Sequence, residues 1–140
     1  MIVIGIDPGK HTGVAVAKDG KLISLVETDF WGCIDIIRGY NKENLLCVIE
    51  LPRSKSVWHN EAKNKRAIQR TGVNVGSCIR EAELIIEYCK NNKINYKTQH
   101  PEGKIDADKF KQKTGWEKST NSHKRDAGML CFSVFTKKLS

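Results

Sequence analysis

Ile2-Val3-Ile4-Gly5-Ile6-Asp7-Pro8-Gly9 is the stretch on which the reading of the fold turns. Residues 2 to 6 are an unbroken apolar run, too short for a buried helix and closed by a Pro-Gly turn, so they predict a buried strand. Asp7 is the first charge after that run and sits where the strand must stop. Beyond the turn, Thr12-Gly13-Val14-Ala15-Val16-Ala17 predicts a second strand. Asp19-Gly20 is a strong hairpin turn, and Lys21-Leu22-Ile23-Ser24-Leu25-Val26 returns as a third strand. The result is an antiparallel meander.

Working outward, residues 29 to 40 place Phe30, Ile34, Ile37 and Tyr40 on one helical face. Leu45-Leu46-Cys47-Val48-Ile49-Glu50 is another apolar strand with a carboxylate at its end. A helix between two such strands predicts a parallel crossover. Residues 51 to 71 are polar and basic, with Pro52 at the entry and Trp58 as the one large aromatic, and read as a mobile loop or a short helix. Val75, Cys78, Ile79, Ala82, Ile85, Ile86 and Cys89 recur at steps of three and four, which predicts a helix from about Asn74 to Lys90, ended by Asn91-Asn92. A strand over Ile94 to Thr98, a Pro101-Glu102-Gly103 turn, a short helix over Ala107 to Lys113 and a last helix over Ser122 to Thr136 complete the chain. The order is therefore β-β-β-α-β, a basic insert, then α-β-α-α. It predicts an α/β fold with a mixed central sheet, a three-strand antiparallel meander extended by parallel strands and flanked by helices. That is the topology of the RNase H-like fold.

At 140 residues the chain suits one two-layer domain spanning residues 1 to 140. No apolar run approaches the roughly 18 residues of a membrane span, so a soluble protein with no membrane partner is expected. The N-terminal run has no basic stretch ahead of it and no small-residue cleavage site after it, so no signal peptide is expected. Cys33, Cys47, Cys78, Cys89 and Cys131 are odd in number and form no close pair. They read as reduced thiols of a cytoplasmic protein, bacterial or encoded by a virus or mobile element. A zinc site from Cys78, Cys89 and a histidine would lack the usual ligand-pair spacing.

The net charge of +8 is unevenly placed. Residues 53 to 70 carry Arg53, Lys55, Lys63, Lys65, Arg66 and Arg70 against Glu61 alone, a net +5. Residues 104 to 125 carry Lys104, Lys109, Lys111, Lys113, Lys118, Lys124 and Arg125 against Asp106, Asp108 and Glu117, a net +4. The remainder sums to −1. Two basic segments in a near-neutral protein suit a polyanion-binding surface, although two solvated lysine-rich loops would have the same composition.

Asp7 closes the first strand, Glu50 closes the fourth, and Asp126 lies near the start of the last helix. His123 is three residues before Asp126, on the same helical face. If the first and fourth strands are parallel neighbours, they end at one sheet edge, where open α/β sheets hold ligands. Carboxylates gathered there repel unless a cation joins them. Mg²⁺ favours carboxylate and phosphate oxygen, and a pair of such ions can promote phosphodiester cleavage. Each residue also has a plain reading: Asp7 as a turn former, Glu50 as a lysine's partner, Asp126 as a complement to the helix N-terminus, His123 as a surface histidine.

Gly5-Ile6-Asp7-Pro8-Gly9 with Thr12-Gly13 resembles the opening of RuvC-type Holliday junction resolvases, and Val48-Ile49-Glu50 resembles their second acidic motif. Val75-Gly76-Ser77 resembles the start of their central helix, and Pro101 with Lys104 their proline and lysine turn. Ala107-Asp108-Lys109 resembles their lysine motif, and His123-Lys124-Arg125-Asp126-Ala127 their last acidic motif. The resemblance implies that Asp7, Glu50, His123 and Asp126 bind two Mg²⁺ ions, with Mn²⁺ able to substitute, and that Lys104 and Lys109 lie near the scissile phosphate, Lys109 as part of the catalytic set. It implies a homodimer that makes paired nicks in branched DNA and leaves 5′-phosphate and 3′-hydroxyl ends. Many relatives have aspartate where His123 stands and some have histidine. The stretch from Lys104 to Lys109 is shorter than in the family, and the insert after Glu50 is unusually basic. Arg53, Lys55, Lys63, Lys65, Arg66, Lys104 and Lys111 are the expected DNA contacts. Trp58 would stack on an unpaired base, or else pin its own loop.

Other readings share parts of this pattern. An Asp-x-Gly turn followed by Thr and Gly also opens the phosphate hairpin of actin-like and sugar-kinase ATPases, but 140 residues leave no room for their second lobe. A non-catalytic module that binds branched DNA, and a related nuclease acting on flaps, forks or RNA-DNA hybrids, both fit the same residues. No motif identifies a helper motor.

Overall fold

The computed structural model describes residues 1–52, 65–101 and 103–138, with the side chains of 65–75 and 135–138 outside that description. Strands β1 (Ile2–Asp7), β2 (Thr12–Lys18) and β3 (Lys21–Thr28) lead into α1 (Phe30–Arg38). A 3-10 turn (Lys42–Asn44) precedes β4 (Leu45–Glu50). Then come α2 (Lys65–Asn91), β5 (Asn95–Gln99), α3 (Ala107–Thr114) and α4 (Ser122–Lys138). The five strands form one mixed sheet in the order β3-β2-β1-β4-β5. β1 pairs antiparallel with β2 and β2 antiparallel with β3, whereas β1 pairs parallel with β4 and β4 parallel with β5.

The apolar runs sit where both faces are covered, as continuous rather than alternating hydrophobicity requires. Ile4 and Ile6 of β1 and Cys47 and Ile49 of β4 face one core with Cys33, Ile34 and Ile37 of α1 and Ala82, Ile85 and Cys89 of α2. Val3 of β1 and Val48 of β4 face the other core with Phe110 of α3 and Ala127, Leu130, Cys131 and Val134 of α4. The β2–β3 turn has Asp19 and Gly20 at φ 51° and 86°, the left-handed pair a tight hairpin demands. Asp29 caps α1 by accepting from Gly32 N at 2.8 Å, and Asp106 caps α3 by accepting from Lys109 N at 2.8 Å.

One feature departs from the sequence reading. α2 begins at Lys65 instead of about Asn74, so its first turns fall inside the segment read as a mobile loop or a short helix and are continuous with the long helix. Those turns consist largely of good helix formers without apolar periodicity, so propensity extends a helix that periodicity does not mark. Cys78 and Cys89 do not come together as ligands. Cys89 is buried and hydrogen-bonded to Cys47, while Cys78 feels the charges of Asp7, Glu81 and Glu50. All five cysteines are free thiols. Among the described residues no helix is long and apolar enough to cross a membrane.

Candidate metal centre and its basic groove

The parallel register of β1 on β4 runs from Ile2 opposite Leu45 to Ile6 opposite Ile49. One step further, Asp7 and Glu50 leave the same edge of the sheet side by side. Bringing the third carboxylate over them depends on two glycines. A methyl group at Gly5 would overlap the Ala127 carbonyl oxygen, and one at Gly13 would overlap the His123 carbonyl. Side-chain-free backbone on β1 and β2 therefore lets α4 lie directly on the sheet. Asn121 starts the helix by accepting from Lys124 N at 2.9 Å. Asp126 then reaches the strand ends.

The ligand atoms of Asp7, Glu50 and Asp126 all lie within 4.8 Å of one another, and each residue is partly buried. His123 Nδ1 is 3.5 Å from Asp7 Oδ2, so the fourth selected residue touches the cluster from its flank without belonging to that close group of three. The cluster is electrostatically strained. Burial raises the Asp7 carboxyl, the charge of Asp126 adds to the rise, and a hydrogen bond with Glu50 and the charge of Lys104 oppose it. Glu50 is pushed up to about 8, first by burial and then by the hydrogen bond and charge of Asp7. Asp126 is raised by burial and by the charge of Glu50, against Lys104, His123 and Arg125. Glu50 thus keeps a proton shared with Asp7 at neutral pH when no cation is present. A divalent cation, which replaces that proton and joins the oxygens, relieves the repulsion.

Beside the carboxylates lies a groove of about 710 Å³, with Glu50 and Asp126 among its lining residues. Lys104, Lys109 and Lys113 line it too, and Lys104 bears electrostatically on all three carboxyls. Of the other residues expected to contact nucleic acid, Lys111 is exposed on α3 but does not line the groove. Lys65 and Arg66 fall in the first turn of α2 with side chains outside the description. Arg53, Lys55, Trp58 and Lys63 lie outside the described residues altogether.

Sequence reasoning missed several supporting groups. Thr12 is fully buried, and its hydroxyl is within 2.9 Å of Glu81 Oε1 and 3.1 Å of the Gly9 carbonyl, tying the turn after Asp7 to α2. On the other flank Glu27 Oε1 is 3.3 Å from His11 Nδ1, and Asn121 Nδ2 donates to Glu27 Oε2. The His11 and His123 rings lie 6.3 Å apart between centroids. Arg125, counted as surface charge, instead donates from Nε to the Ile105 carbonyl at 2.9 Å and from Nη1 to Thr120 Oγ1 at 3.0 Å. It holds a wall of the groove. Lys113 had a usable signal, since it stands four residues after Lys109 on one helical face. No protein-family model matches this chain, and no curated protein matches its sequence.

Proposed function

We propose that this chain is a Mg²⁺-dependent nuclease with an RNase H-like fold, similar to RuvC-type resolvases, that nicks branched DNA such as a Holliday junction. The observation that carries the proposal is the convergence of Asp7, Glu50 and Asp126 within 4.8 Å, beside a groove lined by Lys104, Lys109 and Lys113. An all-oxygen donor set suits a hard cation, and the raised Glu50 carboxyl marks a site short of positive charge. Asp7, Glu50 and Asp126 would hold the metal, with His123 beside Asp7 orienting that carboxylate or adding a ligand. Bound Mg²⁺ supplies Lewis-acid activation of water and stabilisation of the leaving oxygen.

The chain's own contribution is placement. Lys104, facing all three carboxyls, offers its ammonium to the scissile phosphate, and the α3 lysines Lys109 and Lys113 draw the adjoining backbone along the groove. Hydrolysis adds water at phosphorus and breaks the bond to the 3′ oxygen, leaving a 5′-phosphate and a 3′-hydroxyl. Paired nicks across a four-way junction need two such sites, which a homodimer provides.

Purified protein with synthetic four-way, three-way, flap, linear and RNA-DNA hybrid substrates, with and without Mg²⁺ or Mn²⁺, tests the proposal. Metal-dependent nicking of the branched DNAs, absent in Asp7→Asn while junction binding persists, supports it. Preferred cleavage of flaps or hybrids would move the substrate class. Tight junction binding with no cleavage in either metal would favour a non-catalytic module.

A further inference from the structure

Asp7 and Glu50 are two members of a row of three. The register of β4 on β5 runs from Leu46 opposite Asn95 to Glu50 opposite Gln99. Gln99 therefore leaves the same sheet edge as the two carboxylates, on the strand next to Glu50 and on the side away from Asp7. Side chains alternate along a strand, so Asp7 shares the face of Val3 and Glu50 the face of Val48, which is the face that α4 covers. Gln99 lies on that face too, since the hydroxyl of Ser133 on α4 reaches its side chain.

The backbone of this row is fixed one residue beyond its last pair. Leu51 N donates to the Gln99 carbonyl at 2.9 Å, and His100 Nδ1 lies 2.8 Å from the Leu51 carbonyl. A carbonyl only accepts, so that ring nitrogen carries the hydrogen, and the residue after Glu50 is held through both of its backbone groups. The Gln99 side chain is held as well. The Ser133 hydroxyl sits 2.8 Å from Gln99 Oε1 and 2.8 Å from the Leu130 carbonyl, and shares its one hydrogen between them. With Oε1 turned to α4, the amide nitrogen is the end left over, and it has no hydrogen-bond partner among the described residues.

Glu50 has a use for that donor. Its own hydrogen bond runs to Asp7 on the opposite side, where the two carboxyls share a proton. Once a divalent cation replaces the proton, Glu50 becomes a full carboxylate, and carboxylates that ligate a metal are held in turn by hydrogen bonds from groups behind them. An amide suits this place. It offers N–H donors without a charge, so it steadies the carboxylate and leaves intact the negative charge that draws the cation, which a lysine in the row would offset.

We propose that Gln99 is a positioning residue of the metal centre, which donates from its amide nitrogen to Glu50 and turns that carboxylate toward the cation, with Ser133 holding the amide in place. This rests on the reading of Asp7, Glu50 and Asp126 as cation ligands and is independent of which nucleic acid is cut. Gln99 acts through Glu50 alone.

The test is Mn²⁺ titration of the full chain, read as loss of the free-ion electron paramagnetic resonance signal. Gln99→Met keeps the length and bulk of the side chain but has no N–H to give. It should bind Mn²⁺ about tenfold more weakly than wild type, the low end of the loss expected for a group behind a metal ligand. Because Gln99 works through Glu50, the same change made in Glu50→Ala should cost less than about twofold, whereas in Asp126→Asn it should again cost about tenfold. Thermal melting in EDTA checks that each variant folds. Gln99→Met binding Mn²⁺ as tightly as wild type overturns the inference. So does a loss of the same size in Glu50→Ala, which would mark a general structural effect in place of action on that carboxylate. A wild type that binds no Mn²⁺ overturns the metal centre itself, and the inference with it.

Discussion

Replacing Glu50 with glutamine should make the metal-free protein more stable at alkaline pH. Burial and Asp7 push the Glu50 carboxyl up to about 8 from an ordinary value of 4.5. A carboxyl raised on folding binds its proton more tightly in the folded state. Its stabilising contribution is therefore complete below about pH 4.5 and is lost as pH rises through about 8. The gap between those values, at about 1.4 kcal/mol per pH unit, bounds the loss at about 5 kcal/mol. Because the carboxyl keeps some contact with water and shares its proton with Asp7, about 2 kcal/mol is the expected size. Glutamine cannot ionise, and its amide still donates to Asp7. Urea unfolding in EDTA should find Glu50→Gln about 2 kcal/mol more stable than wild type at pH 9 and within about 1 kcal/mol of it at pH 5. Millimolar Mg²⁺ at pH 8 should reverse the order, because only the wild type keeps all three ligands. Wild-type stability that stays level from pH 6 to 9 relative to the variant, or no reversal by Mg²⁺, would refute the reasoning.

Two other perturbations probe the groove and the seat of α4. Replacing Lys104, Lys109 and Lys113 together with alanine should weaken junction binding and lower the slope of log affinity against log salt by about 2 to 3, which a salt titration measures. An unchanged slope would place the DNA elsewhere. Gly5→Ala should cost about 1 to 3 kcal/mol of stability, since the added methyl meets the Ala127 carbonyl. Because that collision also lifts Asp126 from Asp7 and Glu50, the folded variant should lose its thermal stabilisation by Mg²⁺. Full retention of that response would separate α4 packing from the metal centre.

Much of this architecture was legible because its signals are local or repeat along one element. Continuous apolar runs marked β1 and β4 as central strands, and each run ended in the carboxylate that reaches the sheet edge. The spacing of His123 and Asp126 placed both on one side of α4, and the structure puts both against the cluster. What stayed hidden depends on partners chosen in space. Thr12 meets Glu81 across 69 positions, and Asn121 meets Glu27 across 94. Neither pair leaves a trace in local composition. Arg125 looked like surface charge because sequence shows the guanidinium but not the Ile105 carbonyl it binds. The early start of α2 was missed because propensity without an apolar stripe is a weak signal.

Mn²⁺ binding, followed by the loss of the free-ion electron paramagnetic resonance signal, tests most directly whether three distant carboxylates make one cation site. Wild-type protein should bind Mn²⁺, and Asp7→Asn, Glu50→Gln and Asp126→Asn should each weaken that binding by about tenfold or more. A wild type that binds no Mn²⁺, or any one of the three variants binding as tightly as the parent, would contradict the account.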